Sequence, residues 1–201
     1  MQVSPQLLRT LRYGYNHFSK ERALLKIEGV DSLKFLQGLT TNDIKVLASP
    51  PKYGCSALYT ALLNPQGRVL HDVIISTTDQ PAPPPSLSTP STTPLSSSFL
   101  IDCSTNSKED IQKHFMQYKV RNKFNITNIS DTHSVWAVYG KSLNLQQHEN
   151  NDTNSDSIVE LIKCMNNNPN IERWFVDPRF HKLGIRLVLP SDAKRKLSCT
   201  S

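Results

Sequence analysis

Two runs rich in aliphatic and β-branched residues, Ala57 to Leu63 and Arg68 to Ser76, meet across Asn64-Pro65-Gln66-Gly67. Proline fixes one backbone angle of a tight reversal and glycine supplies a permissive one, so this segment predicts a β-hairpin. The pieces around it follow from the same kind of pattern. Ala23 to Ile27 predicts a strand, Gly29 a turn, and Asp31 the cap of a helix whose buried face is Phe35, Leu36 and Leu39. Phe99 to Cys103 predicts another strand, and Ser107 with Asp110 three residues later has the pattern of a capping box, opening a helix with Ile111, Phe115 and Tyr118 on one face. Val135 to Tyr139 and Ile185 to Leu189 predict further strands, and Ile158 to Met165 a short helix. Strand, helix, hairpin, strand, helix, strand is the order of an α+β sandwich with ferredoxin-like βαβ pieces and an antiparallel sheet.

Two stretches interrupt that order. Thr77 to Ser98 carries six prolines among serines and threonines, from Pro81 to Pro94, and predicts a loose surface loop. Asn144 to Ser157 is dominated by asparagine, glutamine, serine and acids with no apolar period, and predicts a solvated insertion. With 201 residues, 37% hydrophobic and 20% charged, the chain has enough material for a folded core. No apolar run reaches the roughly 18 residues a spanning helix needs; even Val69 to Ile75 is broken by His71 and Asp72.

The net charge of +6 is carried by the two ends, and the body between them is balanced. A nucleic-acid partner is therefore not expected: an RNA-binding module would show a basic stripe interleaved with aromatics. Residues 1–22 hold Arg9, Arg12, Lys20 and Arg22 among Leu7, Leu8 and Leu11, with Glu21 the one acid. That is the composition of an amphipathic organelle presequence and predicts import into mitochondria. Residues 191–201 form a basic tail. Cys55, Cys103, Cys164 and Cys199 are dispersed, without the close spacing of a zinc or cluster site, so no metal is predicted on this chain.

Three segments carry a family resemblance. Gly29-Val30-Asp31 followed by Phe35-Leu36-Gln37-Gly38-Leu39-Thr40-Thr41-Asn42-Asp43 is similar to the N-terminal signature of the YgfZ/GcvT proteins. Leu62 to Asp72 resembles their second signature, at the expected separation. His114 to Phe124 looks like the segment typical of the mitochondrial iron–sulfur assembly branch, and Asp177-Pro178-Arg179 with Leu183-Gly184 and Arg186 fits its later strand. The resemblance spans about residues 22–190, the N-terminal portion of such a protein. It implies a partial GcvT-like folate-binding domain over 23–190, tetrahydrofolate as ligand, and a matrix protein supporting [4Fe–4S] maturation beside A-type iron–sulfur carriers and [4Fe–4S] client proteins. The alternative is a folate-dependent aminomethyltransferase. The family's Lys-Gly-Cys-Tyr motif does not occur in these residues, and its cysteine's role passes to neither Cys164 nor Cys199.

By this resemblance Asp72 is the carboxylate that engages the pterin-bearing cofactor, accepting hydrogen bonds from its N–H groups. Arg68 and Arg121 are the candidates for paired hydrogen bonds to carboxylates of the folate tail. Asn42 and Asp43 are expected to cap a turn. Tyr118 is expected in the core, and His71 and His114 carry no assignment. No catalytic residue is named.

Overall fold

The structure is a computed structural model that describes residues 14–18, 20–48, 57–78, 98–139, 165–166 and 171–191. Its strands are β1 (Gly14–His17), β2 (Arg22–Glu28), β3 (Ala57–Leu63), β4 (Val69–Thr77), β5 (Ser98–Ser104), β6 (Asn125–Asn128), β7 (His133–Tyr139), β8 (Arg173–Val176) and β9 (Ile185–Pro190). The helices are α1 (Ser32–Leu39), α2 (Lys45–Ala48) and α3 (Lys108–Lys119). They belong to two compact units: a central one, Glu21–Ile129, and a split one assembled from Met1–Lys20 and Ser130–Ser201.

The central unit is a five-stranded sheet in the order β3-β4-β5-β2-β6, every neighbouring pair antiparallel. Without β3, the order β4-β5-β2-β6 with helices after β2 and after β5 is the ferredoxin-like arrangement, and β3 extends it at one edge. The two-residue period of a strand sends Ala23, Leu25 and Ile27 of β2, Val73 and Ile75 of β4, and Phe99, Ile101 and Cys103 of β5 to one face. There they pack on Phe35, Leu36 and Leu39 of α1 and Ile111 and Phe115 of α3. Phe35 ties the helical layer together, edge-on to Phe115 at 5.5 Å and 4.4 Å from Phe124 between ring centres. Each such large side chain taken from water contributes about 1.5–3 kcal/mol.

The hairpin forms where the turn residues place it. The Asn64 carbonyl accepts the Gly67 N–H at 2.9 Å, and its side-chain Oδ1 accepts the N–H groups of Gln66 and Arg68. The proline-rich stretch leaves from another hairpin end: Thr77 pairs with Phe99, and the Thr78 N–H reaches the Ser98 carbonyl at 3.2 Å. An insertion between strand ends already held together adds little closure entropy per residue. Residues 79–97, the Asn144–Ser157 insertion and most of the Ile158–Met165 helix lie outside the described residues.

Both expected helix caps differ from the pattern. Asp31 stands at the N-cap of α1, yet its carboxylate makes no cap hydrogen bond and turns to the Lys123 N–H at 2.7 Å. Ser107 likewise caps nothing with its side chain. A 3₁₀ turn, Thr105–Ser107, runs directly into α3 and leaves Ser107 in a helical conformation, where a hydroxyl cannot face back to the first amides. Glu109 and Asp110 in the first turn still complement the helix dipole.

The split unit is a four-stranded antiparallel sheet, β1-β7-β9-β8. Its central strands are buried at successive positions, Val135 to Val138 in β7, as an unbroken apolar run predicts, and Ile185 to Leu189 in β9, where Arg186 is enclosed among apolar neighbours. β1 falls within the stretch read as a targeting segment, and β6 and β8 were not predicted from the sequence. Among the described residues no helix is long and apolar enough to cross a membrane.

Candidate functional site

The segments 29–43, 62–72 and 114–124 that carried the family resemblance lie in the central unit, where several of their residues hold the scaffold together. Gly29 adopts φ 145°, and a Cβ there would lie 2.4 Å from the Lys123 carbonyl oxygen and 2.5 Å from Phe124 Cα. Only glycine permits this approach. Asp31 then clamps the same backbone through the Lys123 N–H. Farther on, Thr41 bonds to the hairpin through its N–H to the Ala61 carbonyl, and its hydroxyl accepts the Ala61 N–H, both at 3.1 Å. Asn42 donates to the Tyr59 carbonyl at 2.7 Å, and Asp43 accepts the Lys45 N–H at 3.0 Å. Asp43 is thus a turn cap as expected, whereas Asn42 ties the turn to β3.

What remains unspent is exposed on the hairpin and the loop after α3. Asp72, on β4, projects from the sheet face opposite the central core. It receives one long hydrogen bond, from the Tyr59 hydroxyl at 3.4 Å to Oδ2. Arg68 is exposed at the end of the turn, with Val69 and Leu70 beside it, and Arg121 is exposed past the end of α3. Among the described residues no hydrogen bond or ion pair joins Asp72, Arg68 and Arg121 to one another. A carboxylate offers acceptors for N–H groups, and an unpaired guanidinium offers a planar fork for a carboxylate.

Arg121 is presented by a strained turn. The Asn122 N–H returns to the Lys119 carbonyl at 2.8 Å, closing a four-residue reversal with Val120 at its second position. Val120 has φ 42° and ψ −107°, a conformation for which such turns use glycine, and it is 81% exposed. A β-branched residue there stores about 1–3 kcal/mol of strain, and strain of this kind gathers at functional sites.

Two residues that sequence reasoning left unassigned, or did not single out, help position this edge. Tyr59 is the hydrogen-bond partner of Asp72. His114 on α3 sits under the hairpin: its Nε2 lies 3.1 Å from the Leu63 carbonyl, next to the register shift between Leu62 and Leu63. A carbonyl only accepts, so Nε2 carries the proton. Burial holds the His114 imidazole below its ordinary pKa, with the Leu63 hydrogen bond opposing and nearby His71 assisting. Tyr118 packs edge-on to His114 at 4.9 Å and against the core, as expected.

In the split unit the charged motif is buried instead. Asp177 accepts the Arg179 N–H, binds the Arg179 guanidinium at 2.9 and 2.7 Å, and takes Arg186 Nε at 2.8 Å. Burial acts to raise the pKa of its carboxyl, but the two arginines bring it down to about 2. Arg186 is itself buried and lies 5.9 Å from the Phe18 ring. This cluster is structural cement.

Cys103 is buried in the central core, and burial pushes its thiol up to about 12, which leaves it protonated and unreactive. The other three cysteines lie outside the described residues. Among the described residues no group of three His, Cys, Asp or Glu side chains is placed to hold a metal ion.

No protein-family model matches the chain. Among solved structures, the glycine cleavage system aminomethyltransferase T of Bartonella henselae superposes with a TM-score of 0.58 at 16% identity, over 96% of this chain and 47% of that one. The chain therefore has a GcvT-like fold. Its curated relatives are more specific. It is 30% identical over 178 residues to the mitochondrial iron-sulfur cluster assembly factor IBA57 homolog of Dictyostelium discoideum, and 30% identical over 175 residues to mitochondrial IBA57 of Mus musculus. It is 32% identical over 180 residues to the Neurospora crassa homolog. These alignments take in 86%, 85% and 89% of the chain but 40%, 42% and 35% of the relatives. The chain is similar over most of its length to these iron–sulfur cluster assembly factors, and spans about two-fifths of the length of the first two relatives.

Proposed function

We propose that the chain acts in mitochondrial iron–sulfur cluster assembly, supporting maturation of [4Fe–4S] proteins in the matrix. The observation that carries this is the alignment of relatives bearing that name over most of the chain. Residues within 1–22 direct import, A-type iron–sulfur carriers and [4Fe–4S] client proteins are its partners, and tetrahydrofolate is its ligand.

The exposed hairpin edge supports the ligand reading chemically. Asp72 keeps acceptor capacity for pterin N–H groups, Tyr59 steadies it, and Arg68 and Arg121 face solvent with charge to spare for tail carboxylates. In this reading folate supplies the ring and tail that these residues orient, and His114 fixes the hairpin on which two of them ride. Exposed charges of this kind set binding and orientation, while the fold rests on other contacts.

Depleting the protein in its own cells tests the function. Activity of matrix [4Fe–4S] enzymes should fall several-fold while a cluster-free matrix enzyme holds. Unchanged [4Fe–4S] activities after full depletion would contradict the proposal.

A further inference from the structure

The split unit exposes its large apolar side chains at one end. Among the described residues these are Tyr15, Tyr139, Phe180 and Leu183, and all four gather where β1 and β9 begin and β7 and β8 finish. The strand register joins them: Gly14 pairs with Tyr139 and Tyr15 with Val138, while Val138 and Val176 both pair with Ile185. Two glycines make the cluster. A Cβ on Gly14 would lie 2.6 Å from the Tyr139 ring, and one on Gly184, at φ 89°, would lie 2.1 Å from the Val138 carbonyl oxygen and 3.0 Å from Tyr139 Cα. Gly184 therefore seats the loop 177–184 directly on the end of β7. Within that loop the Leu183 N–H returns to the Phe180 carbonyl at 2.9 Å, which sets Phe180, 50% exposed, and Leu183, 43% exposed, on one tight 3₁₀ reversal. The Lys182 ammonium stands 5.9 Å from the Phe180 ring centre.

Exposed apolar side chains gathered in one place mark an interaction surface. Phe180 and Leu183 beside a lysine have the composition of an interfacial membrane segment, and tyrosine, an apolar ring with a polar tip, suits the headgroup level. Charge decides which surface fits. From Asp177 to Arg186 there are three cations to one carboxylate, and that carboxylate is consumed by Arg179 and Arg186. We propose that this end of the split unit attaches reversibly to anionic phospholipid bilayers, with Phe180 and Leu183 entering the interface, Tyr15 and Tyr139 resting at headgroup depth and Lys182 meeting lipid phosphates. The lysine stem lies along the apolar boundary while its ammonium stays among the headgroups. One short loop and a few cations give weak binding that releases readily, unlike insertion of a spanning helix. The attachment is independent of the ligand reading, since none of these residues belongs to the hairpin edge.

The test is flotation of the full chain with lipid vesicles. With phosphatidylcholine vesicles holding about a third phosphatidylglycerol, at about 0.1 M salt, the chain floats; with phosphatidylcholine alone about tenfold less of it does. Phe180→Ser combined with Leu183→Ser changes only exposed side chains, so urea unfolding is unmoved while affinity for the anionic vesicles falls by about tenfold or more. Lys182→Glu lowers that affinity about tenfold and weakens its salt dependence. Flotation retained in full by the double variant would assign binding to the basic ends of the chain and overturn the proposal. Failure of the wild-type chain to float with the anionic vesicles would overturn it as well, and a dimer that the double variant dissociates would then assign the patch to a second copy.

Discussion

The two units treat the charged residues of their family motifs in opposite ways. In the split unit a carboxylate and two guanidinium groups are folded inward, Asp177 and Arg186 both almost inaccessible, and the motif's charges are consumed by one another. In the central unit the signature segments hold the scaffold through backbone hydrogen bonds and a glycine contact, and leave Asp72, Arg68 and Arg121 at the surface. Motif residues that look alike in a sequence therefore divide by their partners. Those whose polar atoms are taken up within the chain set the fold, and those left with spare donors or acceptors at the surface are available to a ligand.

The strongest way to break this contrast is Asp177→Ala. It strands two arginines, one fully enclosed, and should cost about 3–5 kcal/mol. Trp136 and Trp174, the chain's two tryptophans, both lie in the split unit, so urea unfolding followed by tryptophan fluorescence reads the loss directly. Gly29→Ala should destabilise the central unit by about 2–3 kcal/mol, because the new methyl meets the Lys123–Phe124 backbone and the φ is one that alanine resists. Hydrogen exchange of β2 and β6 amides would show it.

Acid sharpens the same point. The Asp177 carboxyl is lowered in the folded state from 3.8 to about 2, so its contribution is fully present above about pH 4 and disappears as pH falls through about 2. A loss of about 2 kcal/mol from the split unit is expected over that window, read by the same fluorescence. Val120→Gly should move stability the other way, raising it by about 1 kcal/mol through relief of the turn strain. If the strain serves to hold Arg121 in place, the same variant binds tetrahydrofolate more weakly in a calorimetric titration.

Much of this fold was legible because its signals were local. The Asn64-Pro65-Gln66-Gly67 turn, the short apolar runs of β2 and β5 and the helical face of Phe35, Leu36 and Leu39 each follow from neighbouring residues, and each appears. The strands that escaped prediction are short and owe their existence to partners far away in sequence. Asn125–Asn128 is polar at three of four positions and is a strand because β2 offers it an edge; Gly14–His17 is one because β7 does. The caps failed for a similar reason: Asp31 had a better donor at Lys123, 92 residues away. At the candidate site, Asp72, Arg68 and Arg121 were legible only through the family resemblance. The Tyr59 contact, the His114 support and the Val120 strain depend on three-dimensional placement that no spacing reveals.

The most direct measurement is rescue of cells depleted of the protein by an Asp72→Asn variant expressed at the wild-type level. The change is a surface one and should leave stability within about 0.5 kcal/mol. If the exposed hairpin charges carry the function, the folded variant fails to restore matrix [4Fe–4S] enzyme activity. Full restoration by Asp72→Asn would contradict that assignment.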